Sequence, residues 1–277
     1  MKKKVLVVIT ALLGIGSAVV VGTKVKQEKA KKEQRHVPYG PYEALFKRPL
    51  DLILSFFALV FLSPVLLITA ILVRVKLGSP VLFTQLRPGL VDPKTGQEKI
   101  FRLYKFRTMT DERDENGELL SDEQRLTSFG KKLRTTSVDE LPELINIIKG
   151  DMSLIGPRPQ LVRDMVFMSD KQRMRHTAKP GLSGLAQVKG RNAITWEEKI
   201  DWDLKYVEKV GFLSDFIIVL LTIKKVFMRG ESDDEVNIAL DYGDELLRDG
   251  KVTKPKYEAL QAYAQNLLSD HEKRKKS

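Results

Sequence analysis

An apolar run from Leu52 to Val73 carries a Ser63-Pro64 step at its midpoint and two cations at each end, Lys47 and Arg48 before it and Arg74 and Lys76 after it. At ~1.5 Å per residue it is long enough to cross a ~30 Å hydrocarbon layer. Pro64 has no N–H to give the carbonyl of Val60, and its ring presses on that turn, so a sharp bend is expected there. A straight crossing would put one basic flank outside the cytoplasm. A bent helix that re-enters keeps both flanks on the cytoplasmic side, as the positive-inside rule prefers. An ordinary kinked span is the alternative, because transmembrane helices tolerate proline, and helix physics alone does not choose between them.

A second apolar stretch, Val5 to Thr23, follows Lys2, Lys3 and Lys4. It lacks a clear A-x-A cleavage site and runs into strongly basic sequence, so an uncleaved anchor is preferred over a signal peptide. The formal net charge is +11, and the first fifty residues hold eleven Lys and Arg against three Glu. Basicity concentrated beside apolar segments reads as attraction to anionic lipid headgroups before it reads as nucleic-acid binding.

The chain has no cysteine, which excludes disulfides, thiolate catalysis and every Cys-containing metal site. His36, His176 and His271 are far apart and show no metal spacing. Any chemistry must therefore rest on carboxylates and basic side chains. At this length, one soluble catalytic unit is expected beside the membrane segments.

After Gly78, Val81 to Thr84 and Ile100 to Phe106 are β-prone runs around an Arg87-Pro88-Gly89 turn and a polar loop through Gly96, which predicts a hairpin. Alternation places Lys105 and Arg107 on one face of it. Residues Asp111 to Ser128 read as a charged surface loop or exposed helix. A helix is expected near Ser137, with Leu141, Leu144, Ile145 and Ile148 on its buried face. Ser137 and Glu140 match a capping box, although Pro142 would disturb the turn that the box closes. Either way, Asp139 and Glu140 stand at a helix start, where backbone N–H groups favour anions.

In Gly156-Pro157-Arg158-Pro159 the prolines stiffen the stem of Arg158, which suits it to gripping phosphate or to a structural salt bridge. Lys179 to Gln187 is a Gly-rich loop able to offer backbone donors, without the P-loop pattern. Asp201-Trp202-Asp203 resembles a metal-binding D-x-D, but on a helix its carboxylates diverge. Phe212 to Val226 is too short to cross a bilayer and is expected to pack on the domain or lie in the interface. In the tail, Leu260, Tyr263 and Leu267 suggest one helix face, with no chemistry attached.

Taken in order, these motifs resemble the monotopic phosphoglycosyl transferases, or bacterial sugar transferases, especially the small type that initiates N-linked glycan assembly. The likeness runs from about Tyr42 to Arg229, through Lys47-Arg48 with Asp51, the Ser63-Pro64 break, Tyr104 to Met109, Asp139-Glu140-Leu141, Lys149 to Ser153, Gly156 to Pro159, Lys179-Pro180-Gly181 and Gly190-Arg191. It implies an α+β, mostly α fold with a re-entrant membrane helix, a small β-hairpin and interfacial helices. The expected parts are an anchor and basic linker (1–46), the re-entrant helix (47–78), a catalytic domain (79–230) and a charged tail (231–277). The catalytic domain would face the cytoplasm on the bacterial inner membrane, in contact with its lipids.

The resemblance also implies a reaction. A UDP-sugar would give its phosphosugar to a polyprenyl phosphate, such as undecaprenyl phosphate, with release of UMP, and downstream glycosyltransferases would extend the product. By this likeness Asp139 is the nucleophile, Mg²⁺ is required, and Glu140 positions the metal or handles protons. Arg158, Arg134, Lys105 and Arg191 are the candidates for phosphate or nucleotide contact. Leu185 stands where relatives often have Trp, so the resemblance does not carry a stacking contact over to this position. The rival functions are a silent membrane scaffold, in which Asp139 and Glu140 only cap a helix, and a UDP-sugar hydrolase.

Overall fold

The computed structural model describes residues 38–190, 194–227 and 240–276. The expected anchor at Val5 to Thr23, the candidate Arg191 and the acidic Asp233 to Glu235 lie outside the described residues. Among these, the chain is mostly helical, with two small two-stranded sheets. The longer helices are numbered α1 to α8.

The apolar run forms α1 (Lys47–Phe61) and α2 (Ser63–Lys76), bent at 61°. The bend falls at the expected step. Ser63 Oγ donates to the Val60 carbonyl at 2.7 Å, supplying the hydrogen bond that Pro64 cannot make. No single described helix is long and apolar enough to cross a membrane, but this bent pair is, by length and composition.

The pair is inverted relative to a soluble helix. Asp51, Ser55 and Thr69 are buried, whereas Phe57, Phe61, Leu67 and Val75 are exposed. Buried Asp51 and the two cations at the start of α1 act as latches. Asp51 accepts from Ser153 Oγ at 2.7 Å and from the Leu154 N–H at 3.1 Å. Arg48 donates to the carbonyls of Ile147 and Ile148 at 2.7 and 3.2 Å. Lys47 pairs with Asp215 at 2.6 Å.

β1 (Leu82–Val91) and β2 (Glu98–Phe106) form the expected antiparallel hairpin, with one correction. Pro88 and Gly89 lie within β1 near an irregularity in the register, and the reversal occurs over residues 92–97. A two-stranded sheet leaves β1 an outer edge, where a proline without an N–H costs no ladder bond. Phe101 and Leu103 on β2 pack with Leu144, Ile147 and Met152, against Ala58, Leu59 and Leu62 of the bent pair.

The helix after the carboxylate pair is α4 (Glu143–Lys149), preceded by α3 (Ser128–Thr135). Its buried face is Leu144 and Ile147, with Ile145 exposed, so the expected stripe is rotated. Asn146 fixes the rotation: its side chain accepts from the Tyr104 N–H at 3.1 Å and donates to the Arg102 carbonyl at 2.8 Å along the free edge of β2.

The Gly-rich loop is corrected as well. Gly181–Ser183 is a strand, β4, parallel to β3 (Ser153–Ile155), and its backbone groups are consumed there. The Gly181 N–H donates to the Pro157 carbonyl at 3.0 Å, and the Gly156 N–H donates to Ser183 at 2.9 Å. A Cβ on Gly181 would sit 2.1 Å from the Gly156 nitrogen, so glycine here permits close backbone approach rather than ligand binding.

α5 (Trp196–Glu208) follows, then α6 (Phe212–Phe227), the expected short apolar helix, which exposes Phe212, Leu213, Phe216, Ile217 and Leu220. α7 (Tyr242–Arg248) and α8 (Lys254–Lys276) close the chain. The buried face of α8 is Ala264 with Leu267 and Leu268 against Val162 and Met165, whereas Tyr263 is exposed, contrary to the sequence pattern.

Candidate active site

Between α3 and α4 the backbone makes an abrupt turn. Ser137 adopts a left-handed conformation, φ 56°, and Val138–Glu140 form a single 3-10 turn before Pro142 leads into α4. A non-glycine residue with positive φ is uncommon and costs on the order of 1 kcal/mol, so the surrounding contacts must hold it. No capping box forms at Ser137. Glu140 instead accepts from Lys105 Nζ at 2.8 Å and from Arg158 Nη2 at 2.9 Å. Hydrogen bonds to two cations outcompete one to a backbone N–H.

The two adjacent carboxylates are therefore unlike. Glu140 is opposed by burial, yet Arg158 and Lys105 outweigh that and hold it well below the usual carboxylate range. Asp139 has no hydrogen bond or ion pair among the described residues. Burial, reinforced by the charge of Glu140, pushes it up to about 6, and Lys105, Arg134 and Arg158 only partly offset this. The environment of Asp139 keeps it less acidic and correspondingly more nucleophilic.

Glu143, which no sequence motif singled out, belongs to this cluster. It lies 3.2 Å from Lys105, and burial lifts it to about 7 against the pull of that lysine. Lys105 thus bridges two carboxylates, and Arg107 lines the same cavity with other partners. Arg107 donates to the carbonyls of Ser79 and Met109 at 2.7 and 2.9 Å and pairs with Asp111 at 2.6 Å.

Arg158 makes the salt bridge to Glu140 and lines the same cavity as Asp139. Its backbone is held by Arg175, fully buried, whose Nη2 donates to the Arg158 carbonyl at 2.6 Å and whose guanidinium pairs with Asp203 at 2.5 Å. That pairing uses Asp203 Oδ2 and leaves the buried Oδ1 without a hydrogen-bond partner, while Asp201 is exposed on another side of α5. Arg134 Nε donates to Thr108 Oγ1 at 3.0 Å.

Asp139, Glu140, Lys105, Arg134 and Arg158 line one cavity of about 1160 Å³, together with Arg87 and Lys199. Arg87 is half-buried and donates to the Pro159 carbonyl at 3.2 Å; desolvation and neighbouring Arg158 lower it to about 10. Lys199 lies over the Trp196 ring at 5.3 Å, and burial lowers its ammonium below the usual value. No local pattern marks either residue, because each acquires its place from the fold.

Among the described residues, no group of three or more His, Asp or Glu side chains is arranged to hold a metal. The donor set fits a different mode, in which one or two carboxylates bind a hard cation and substrate phosphates complete its shell, as is usual for Mg²⁺. Asp139 has the uncommitted oxygens for this, with Glu140 beside it.

The chain matches the family model described as bacterial sugar transferase over residues 42–229. It is 50% identical over 184 residues to the uncharacterized sugar transferase EpsL of Bacillus subtilis, across 66% of this chain and 88% of that protein. It is 36% identical over 196 residues to the UDP-N-acetylgalactosamine-undecaprenyl-phosphate N-acetylgalactosaminephosphotransferase of Aeromonas hydrophila, across 68% of this chain and 45% of that one. Against the UDP-glucose:undecaprenyl-phosphate glucose-1-phosphate transferase of Klebsiella pneumoniae it is 35% identical over 201 residues, 69% of this chain and 42% of the other. The chain thus spans less than half the length of these two named enzymes. The matched residues take in the bent pair, the hairpin and the cations around Asp139 and Glu140, and on that extent the chain belongs to the bacterial sugar transferase family.

Proposed function

We propose that this protein transfers a phosphosugar from a UDP-sugar to a polyprenyl phosphate, releasing UMP, through a covalent intermediate on Asp139. The observation that carries the reading is the contrast within the carboxylate pair: Glu140 is clamped by Lys105 and Arg158, while Asp139 is buried and uncommitted in the same cavity.

In the first step an Asp139 carboxylate oxygen attacks the phosphorus that bears the sugar. The bond from that phosphorus to the bridging oxygen breaks, and its electron pair leaves with UMP. Asp139 then holds the phosphosugar as an acyl phosphate. In the second step an oxygen of the polyprenyl phosphate attacks the same phosphorus, and the pair of the P–O(Asp139) bond returns to the carboxylate. Two steps bring two mutually repelling anionic substrates to the phosphorus one at a time.

Arg158 and Lys105 face the charge that builds on the phosphoryl oxygens, and Glu140 orients both cations. Arg134 lies within reach of the same phosphates. Mg²⁺ held by Asp139 and Glu140 would supply further charge neutralisation at the diphosphate. The exposed apolar faces of α1, α2 and α6 suit burial in a lipid layer, with the catalytic domain on the cytoplasmic side of the bacterial inner membrane, where a lipid phosphate reaches the cavity. The proposal includes Mg²⁺ and membrane lipid as partners and a downstream glycosyltransferase as the consumer of product.

Full-length protein given Mg²⁺, a UDP-sugar panel and polyprenyl phosphate should release UMP in repeated turnovers. Without the lipid it should release no more than one UMP per protein and gain the mass of a phosphosugar. Sustained turnover without lipid would establish a hydrolase, and no release with any sugar would favour a scaffold.

A further inference from the structure

The family match ends at residue 229, yet Asp241, Leu268 and Glu272, all beyond it, line the same cavity as Asp139. The C-terminal segment is firmly seated there. Tyr242 is buried, stacks on Trp196 at 5.3 Å and donates its backbone N–H to Asp164 at 3.0 Å. The Trp196 indole N–H donates to the Leu240 carbonyl at 2.9 Å, and a Cβ on Gly243 would meet the Phe167 ring at 2.4 Å. α8 then packs through Ala264, Leu267 and Leu268 onto the one-turn helix Val162–Met165.

Two ion pairs join this segment to the body at the cavity. Glu272 pairs with Arg102 of β2, and Asp241 pairs with Arg163. Arg102 is three residues before Lys105, so this rim lies about 10 Å along β2 from the cations at Glu140, and the odd spacing sets the two side chains on opposite faces of the strand although both line the cavity. A carboxylate beside a guanidinium offers acceptors and donors together, the combination that adjacent hydroxyl groups require. The diphosphate end of the cavity is built from residues inside the family match, and this rim is completed from outside it.

We propose that the C-terminal segment is a specificity wall of the cavity, where the Glu272–Arg102 pair reads the hydroxyl groups of the transferred sugar. This rests on the transferase reading above. Hydrogen-bond pairing to a sugar hydroxyl discriminates against a sugar that lacks it or points it elsewhere, because a mismatch leaves the partly exposed pair without that partner.

The test measures kcat/KM of the full chain for UDP-glucose, UDP-galactose, UDP-N-acetylglucosamine and UDP-N-acetylgalactosamine, alongside inhibition by UMP. Glu272→Gln, which changes a partly exposed side chain, should cut the preference between the best and second-best sugar by about tenfold or more and leave UMP inhibition unchanged. Arg102→Lys should act in the same direction, and it decides the matter if Glu272→Gln does not fold. An equal loss for all four sugars would make the segment a brace and overturn the proposal. Weakened UMP inhibition with the preference intact would also overturn it, by assigning the wall to the nucleotide. If the unaltered protein releases no UMP from any sugar, the transferase reading falls and this proposal falls with it. Activity with unaltered preference in both variants sinks this proposal alone.

Discussion

The bent helix pair and the carboxylate cluster solve opposite problems with the same residue types. In α1 and α2 the polar groups Asp51, Ser55 and Thr69 turn inward beside Val73, while much of the apolar surface turns out, with Phe61 83% exposed. In the cluster, apolar residues of β2 and α4 form the support and charge faces a cavity. Asp51 is satisfied by Ser153 and the Leu154 N–H, so its burial latches the pair to β3. Asp139 is buried without such partners, so its burial raises its pKa and leaves it reactive. Burial stabilises a carboxylate's position or tunes its chemistry according to whether donors are provided.

The largest break in this comparison is Asp139→Asn. It should reduce UMP release by on the order of 10³-fold or more and abolish the mass adduct. The same change should stabilise the fold. A carboxylate raised from 3.8 to about 6 opposes folding wherever it is charged. In metal-free buffer above pH 6 the variant should therefore gain on the order of 3 kcal/mol, and the gain should vanish below pH 4. Denaturant titrations at pH 8 and pH 4 check it.

Arg158→Lys comes next. It keeps the charge but loses the planar fork, and a loss of about 10²-fold in kcat is expected, with UMP inhibition less affected. On the other side of the comparison, Phe57→Lys places a charge on the outward apolar face of α1. It should weaken association with vesicles of bacterial lipid by about 3 kcal/mol while leaving detergent-solubilised turnover near normal. If flotation with vesicles is unchanged, that face does not meet lipid.

The smallest effect is a shift in pH dependence. Adduct formation should rise with pH through about 6 as Asp139 ionises, and fall below it. Glu140→Gln removes the neighbouring negative charge and frees Lys105 and Arg158, so the rising limb should move to lower pH. A limb that stays fixed would show that another group titrates.

Much of this molecule was legible from local chemistry. Pro64 announced the bend, and Pro157 with Pro159 announced a stiff Arg158. The β-prone runs announced a hairpin, though its reversal lies past Pro88 and Gly89, since an edge strand accepts a proline. The 16-residue α6 was expected as a short apolar helix. The glycines of the Lys179 to Gln187 stretch were misread, because close packing of two strands and ligand approach both require a missing Cβ. Glu143 was hidden inside a helical pattern, and the tail face was rotated by packing against Val162 and Met165.

The sequence by itself determined where the backbone must bend or stiffen and which residue types are present for chemistry. Proline geometry and apolar periodicity act over a few residues, so they can be read in place. Only the tertiary structure decided which carboxylate is clamped and which is left available. Lys105 reaches Glu140 across 35 residues, and Asp51 reaches Ser153 across 102. Electrostatic environment depends on distance in space and on the exclusion of water, and chain position specifies neither until the fold has closed.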